Sequence, residues 1–138
     1  MAERIDLVLA GPKQTETRLR EIVESAGWQL HHSPEWRLAL DLAVRLGATV
    51  FMFDYDANPS EWEDALGRVL NWSHAPAFLM TSRLADDRLW AELLARGGYD
   101  LLLTPFDDAE VQRTIRSAHQ HCKESAMARP TPAIARAC

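Results

Sequence analysis

Asp54 closes a largely apolar run, residues 48–53, and a second carboxylate, Asp56, follows two residues later. A carboxylate at the end of a buried strand can act as a nucleophile or as a hard oxygen ligand for a divalent cation. Thr81 and Ser82 end another apolar run, residues 76–80, and Thr104 ends a third, residues 99–103, just before Pro105 and Phe106. The first apolar run, residues 5–10, exits into Gly11, Pro12 and Lys13, with hydroxyls close behind at Thr15 and Thr17. Such a segment can hold a phosphate at the amino end of a following helix, although this one carries little glycine. Each of these residues also has a purely structural use. Asp54 can accept backbone hydrogen bonds in a turn, Asp56 can be a solvated loop carboxylate, and Thr81 and Ser82 can satisfy backbone groups at a strand end.

The elements that must position these groups are legible as an alternation. Short apolar runs at residues 5–10, 28–32, 48–53, 76–80 and 99–103 are separated by stretches of helical period. Leu19, Ile22, Val23 and Ala26 form one buried stripe, Trp62, Ala65, Leu66 and Val69 another, and Val111, Ile115, Ala118 and Cys122 a third. Gly27, Gly47 and Gly97 follow helical segments, where helices commonly stop. The third and fifth runs are continuously hydrophobic, which implies cover on both faces and hence a parallel sheet. The expected fold is therefore α/β: a (βα)5 doubly wound, five-stranded parallel sheet, flavodoxin-like, in a three-layer αβα sandwich. Ligands or chemistry in such a sheet gather at the carboxyl ends of the strands.

The chain has 138 residues, enough for one domain with one core, 47% hydrophobic and 25% charged. We read residues 1–122 as the domain and residues 123–138, rich in alanine and proline, as a flexible tail. The net charge of −5 and the lack of a basic patch argue against direct nucleic-acid binding. No apolar stretch is long enough to span a bilayer and the amino terminus does not read as a signal peptide, so the expected location is cytoplasmic. Cys122 and Cys138 offer neither metal-ligand spacing nor a disulfide framework. His31 and His32 point to opposite faces of a strand, His119 and His121 to different sides of the last helix, and His74 stands alone, so no metal site is expected.

Taken together, Asp54 after the third strand, Ser82 or Thr81 after the fourth and Thr104, Pro105, Phe106 and Asp107 after the fifth resemble the pattern of response-regulator receiver (CheY-like) domains over about residues 4–122. The resemblance places Asp54 at the phosphoacceptor position, Ser82 at the switch hydroxyl with Thr81 as competitor, and Thr104 at the lysine position. It also exposes departures. Receivers follow the first strand with two acidic residues that help hold Mg²⁺; here those positions are Gly11 and Pro12. The lysine is replaced by Thr104. Asp56 and Lys13 are the only nearby candidates to compensate.

Phosphoryl transfer rests on positioning and electrostatic stabilisation, so these losses imply a non-enzymatic pseudo-receiver without a cofactor, acting through protein contacts in signal transduction. The alternatives are an atypical working receiver, phosphorylated on Asp54 by a histidine kinase, and a flavodoxin-like cofactor-binding protein. The family resemblance further implies a contact surface for an output protein or a second copy on the fourth helix, fifth strand and fifth helix. That surface would be centred on Trp90 and Leu94 near Leu101 and rimmed by Asp86, Asp87, Arg88, Glu92, Arg96, Asp100, Arg113 and Arg116. Periodicity alone does not orient the fourth helix, because Leu89, Trp90, Leu93 and Leu94 form one broad stripe. The second helix carries apolar residues nearly all round, from Trp36 to Leu46, so cover is expected on more than one side, from the fold or from a partner.

Overall fold

Residues 50–53 and 77–80, rich in aromatic and large aliphatic side chains, form the central part of the sheet, where neighbours on both faces bury them completely or nearly so. A computed structural model describes residues 3–84 and 86–128. Strands and helices alternate in the order β1 (Asp6–Ala10), α1 (Lys13–Ser25), β2 (Gln29–Ser33), α2 (Trp36–Leu46), β3 (Val50–Asp54), α3 (Trp62–Leu70), β4 (Ala77–Ser82), α4 (Asp87–Ala95), β5 (Asp100–Leu103) and α5 (Asp108–Ala128). The sheet is five-stranded and wholly parallel, in the order β2-β1-β3-β4-β5. The order reverses between β1 and β3, which places the ligand-binding crevice of such a sheet beside the ends of those strands.

The period of two along each strand divides the core into two layers. Leu7, Leu9, Val50, Met52 and Leu79 meet the buried stripes of α1 and α5. Val8, Phe51, Phe53, Phe78 and Met80 meet α2, α3 and α4. In that second layer the Phe53 and Phe78 rings stack with centroids 6.0 Å apart. Burying side chains of this size contributes roughly 1.5–3 kcal/mol each. Helix ends follow local chemistry: the Asp86 carboxylate accepts from the backbone N–H groups of Arg88 and Leu89 at the start of α4. Gly47, at φ 63°, lets the chain leave α2 in the left-handed conformation.

One expectation needs correction. β5 is an edge strand, with Leu102 buried, Asp100 and Leu101 partly covered and Leu103 41% exposed, so it lacks the two-sided cover inferred from its hydrophobic run. Helix α5 continues past residue 122 through Ala128, and residues 129–138 of the expected tail lie outside the described residues. The fold itself covers α2 on one side. Trp36, Ala39, Leu40 and Ala43 are buried, whereas Leu38 and Val44 are 59% and 57% exposed. At the amino end of the sheet His119 is buried and joins Thr49 Oγ1 at 2.6 Å to Glu3 Oε2 at 2.9 Å, tying α5 to the residues before β1. No helix among the described residues is long and apolar enough to cross a membrane.

Candidate functional site

The register of the parallel strands brings the carboxyl-edge residues together: Asp54 lies beside Thr81, and Ser82 beside Leu103, directly before Thr104. Asp54 is buried, and protein donors engage both of its oxygens. The Thr15 hydroxyl donates to Oδ2 at 2.7 Å, and the Asp56 backbone N–H donates to Oδ1 at 3.0 Å. Ser82 does not bond to Asp54. Its hydroxyl donates to Asp56 Oδ1 at 2.8 Å and accepts from the Leu84 N–H at 3.1 Å. The other Asp56 oxygen takes the Arg83 backbone N–H at 2.8 Å and lies 3.4 Å from Arg83 Nε. Asp56 is thus the pin between the β3 exit and the β4 exit, rather than a free loop carboxylate.

Thr81 is fully buried and its hydroxyl has no hydrogen-bond partner among the described residues, so of the two candidates only Ser82 takes part in the polar network at Asp56. The Thr104 backbone N–H donates to Ser82 O at 2.9 Å, and the Thr104–Pro105 peptide is cis. Thr104 supplies no charge where the resemblance expects a lysine.

Gly11 and Pro12 lie at the β1 exit, and Gly11 has a steric reason to be glycine. A Cβ built there would sit 2.9 Å from the Cβ of Asp54, closer than such atoms approach. The Gly11 carbonyl accepts from His32 Nε2 at 2.7 Å. Lys13 does not compensate for the missing lysine. It is exposed, pairs with Glu16 at 3.2 Å and does not line the cavity beside Asp54. Glu16 is itself buried, with Arg20 Nε at 2.7 Å and His32 Nδ1 at 3.7 Å. The hydrogen bond from Arg20 holds its carboxyl below the ordinary glutamate range, against the opposing effect of burial, with Lys13 adding to the lowering.

A cavity of about 550 Å³ opens over Asp54, lined among others by Thr15, Arg18, Asp56, Arg83 and Thr104. Arg18 reaches it from α1, donating to Phe106 O at 3.3 Å and pairing with Asp108. Sequence reasoning missed the roles of Thr15, Glu16 and Arg18. A signal existed in that Thr15 and Arg18 lie three apart and share one face of α1. Magnesium requires near-octahedral oxygen coordination and is usually anchored by carboxylates. This donor set does not fit: β1 contributes no carboxylate, Asp54 is held by protein donors, and the Asp56 oxygens face Ser82 and Arg83. No cluster of three or more His, Cys, Asp or Glu suited to a metal occurs among the described residues.

Away from this edge, Leu89 and Leu93 turn into the core, while Trp90 and Leu94 are 44% and 39% exposed. Trp90 Nε1 donates to Asp100 Oδ1 at 3.0 Å, linking α4 to β5. Leu101 is half-buried against the α2–α4 layer and Leu103 stands outside it. Of the expected rim charges, Asp86 caps its own helix and Arg96 pairs with Glu63 at 2.8 Å, while Arg116 lies over the Trp28 ring.

No family model matches the sequence. No curated protein matches it either. Solved structures do match in shape. The signal receiver domain of an HD domain-containing protein from Pseudomonas fluorescens superposes with a TM-score of 0.76 at 19% identity, covering 88% of this chain and 99% of that one. A response regulator from Thermotoga maritima gives 0.77 at 13% identity, over 86% and 99%. A response regulator receiver protein from Burkholderia phymatum gives 0.70 at 18% identity, over 84% and 95%. The chain has the fold of response-regulator receiver domains.

Proposed function

We propose that this chain is a pseudo-receiver: a regulatory module of a signal-transduction system that works through protein contacts, without Mg²⁺-dependent phosphorylation of Asp54. The observation that carries this reading is the state of the Asp54 carboxylate, closed by Thr15 and the Asp56 N–H, with no acidic residue from β1 beside it. Catalysis of phosphoryl transfer is almost wholly electrostatic, and removing one stabilising group from such a site costs about 10²–10³ in rate. Here the acidic pair and the lysine are replaced together by Gly11, Pro12 and Thr104. Trp90 and Leu94, exposed beside Asp100 and Leu103, are the anchor for an output protein or another partner, an apolar centre within a charged rim. A cytoplasmic location and the lack of a nucleic-acid surface accompany this reading.

The test is incubation with acetyl phosphate and Mg²⁺ followed by intact-mass spectrometry. The expected result is no phosphate adduct. An adduct abolished by Asp54→Asn establishes the second reading, an atypical receiver served by a histidine kinase. That reading draws support from Arg18 and Arg83, two cationic residues that line the cavity over Asp54. A flavodoxin-like cofactor site is disfavoured by the commitment of the Thr15 hydroxyl to Asp54 and by a carboxylate, Glu16, in the first turn of α1.

A further inference from the structure

The apolar excess of α2 is left open by the fold, and its outward face has a definite pattern. Trp36, Ala39, Leu40 and Ala43 turn inward. The opposite side presents Leu38, Asp41 and Arg45 at i, i+3 and i+7, neighbours on one helical face, with Val44, Leu46 and the half-buried Leu42 at its margins. Leu38, Val44 and Leu46 are 59%, 57% and 40% exposed. Val44 stands between two hollows. One, of about 630 Å³, is lined by Ser33, Leu38, Asp41, Leu42, Val44 and Arg45. The other, of about 730 Å³ and mostly apolar, runs from Val44 past Trp72 and Pro76 to Ala126. Protruding side chains and recesses therefore alternate on the same surface.

The charges on this face are as informative as its leucines. Neighbouring cations on the α2–α3 side are engaged: Arg37 with Glu61 at 3.5 Å and Arg68 with Asp64 at 3.4 Å. Asp41 and Arg45 are both exposed and neither has an ion-pair partner among the described residues. One acid and one base, a single turn apart, are self-complementary when two such helices run antiparallel. A two-fold axis level with Ala43 sets each Asp41 opposite the other copy's Arg45, twice. An isologous contact requires this kind of surface.

We propose that the outward face of α2 is the surface through which two copies of this chain associate, fixed by a reciprocal pair of Asp41–Arg45 contacts around an apolar strip. The inference does not depend on whether Asp54 is phosphorylated. It leaves the Trp90 face to a different protein, because two separate self-complementary faces would build open chains of molecules rather than a closed pair.

Sedimentation equilibrium of the full chain, up to about 1 mM so that even a weak contact registers, tests the proposal. Wild type is expected to form a dimer. Asp41→Arg and Arg45→Asp, each alone, set like charges against each other and are expected to weaken it by at least about tenfold. Mixing these two variants, or combining both changes in one chain, restores opposite charges and is expected to restore the dimer. Leu38→Asp is expected to abolish it, and Trp90→Ala to leave it intact. Circular dichroism confirms that each variant, exposed at its substituted position, remains folded. A wild type that stays monomeric overturns the proposal. So does a dimer indifferent to both charge reversals, a mixture that fails to reassociate, or a dimer lost on Trp90→Ala alone.

Discussion

Asp56→Ala should be the most costly small change at the carboxyl edge, and the structure sets its size. The substitution removes two hydrogen bonds to a charged acceptor, from the Ser82 hydroxyl and the Arg83 N–H, each at 2.8 Å. Bonds of that type contribute about 1.5–3 kcal/mol each where solvent is excluded. The Arg83 N–H is exposed, so water replaces that partner at little cost, whereas the Ser82 hydroxyl is buried and loses its acceptor. The Arg83 guanidinium is 79% exposed, so its ion pair adds almost nothing. Removing a carboxylate close to Asp54 returns a fraction of the loss. The net expectation is a destabilisation of about 2 kcal/mol, or a fall in Tm of roughly 6–10 °C for a domain of this size. Urea unfolding followed by tryptophan fluorescence measures it as a lower midpoint at unchanged m value. Arg83→Ala is the internal control: it keeps the backbone N–H and should cost less than about 0.5 kcal/mol. An Asp56→Ala loss no larger than that of Arg83→Ala would refute Asp56 as the pin between β3 and β4.

Thr81→Val should stabilise the protein by about 1 kcal/mol, because it replaces a fully buried hydroxyl without a partner by an apolar group of the same shape. A loss of stability in the same urea assay would mean that the hydroxyl holds a group such as a buried water. Stability should also decline in acid. Glu16 is held below its ordinary value of about 4.3 by Arg20, so the stability it contributes is complete above that value and disappears as pH falls through its lower folded-state value. Glu16→Gln should flatten the decline below about pH 4.3, and an unchanged acid limb would remove Glu16 as its source.

Sequence pattern located the carboxyl edge of the sheet because that edge depends on strand ends, which hydrophobic runs report directly. Asp54, Ser82 and Thr104 do converge at one edge. What pattern could not report was which neighbours a run acquires. Residues 99–103 read like a covered central strand, yet β5 closes the sheet at its edge, where Leu103 stands in solvent. Residues 123–128 lack an apolar period, yet Lys, Glu, Ala and Met favour helix and α5 continues through them. Thr15 and Arg18 escaped for a different reason. Their partners Asp54 and Phe106 are 39 and 88 residues away, and no local spacing encodes a side-chain contact across that interval. The orientation of α4, ambiguous by period, is settled by Leu89 and Leu93 turning inward, which leaves Trp90 outside.

The close approach of Gly11 to Asp54 also bears on how such a chain can change over evolutionary time. Any β-carbon at position 11 arrives 2.9 Å from the Asp54 Cβ, so Gly11→Asp, the first step toward an acidic pair, must displace the end of β3 before its carboxylate can serve any ion. That step carries an immediate stability cost of roughly 1–3 kcal/mol. The packing of Gly11 against Asp54 therefore sets a barrier against any side chain at position 11 that single substitutions on the open surface do not meet, so variation at this edge is channelled by the close approach of two strand ends rather than by the charges they carry.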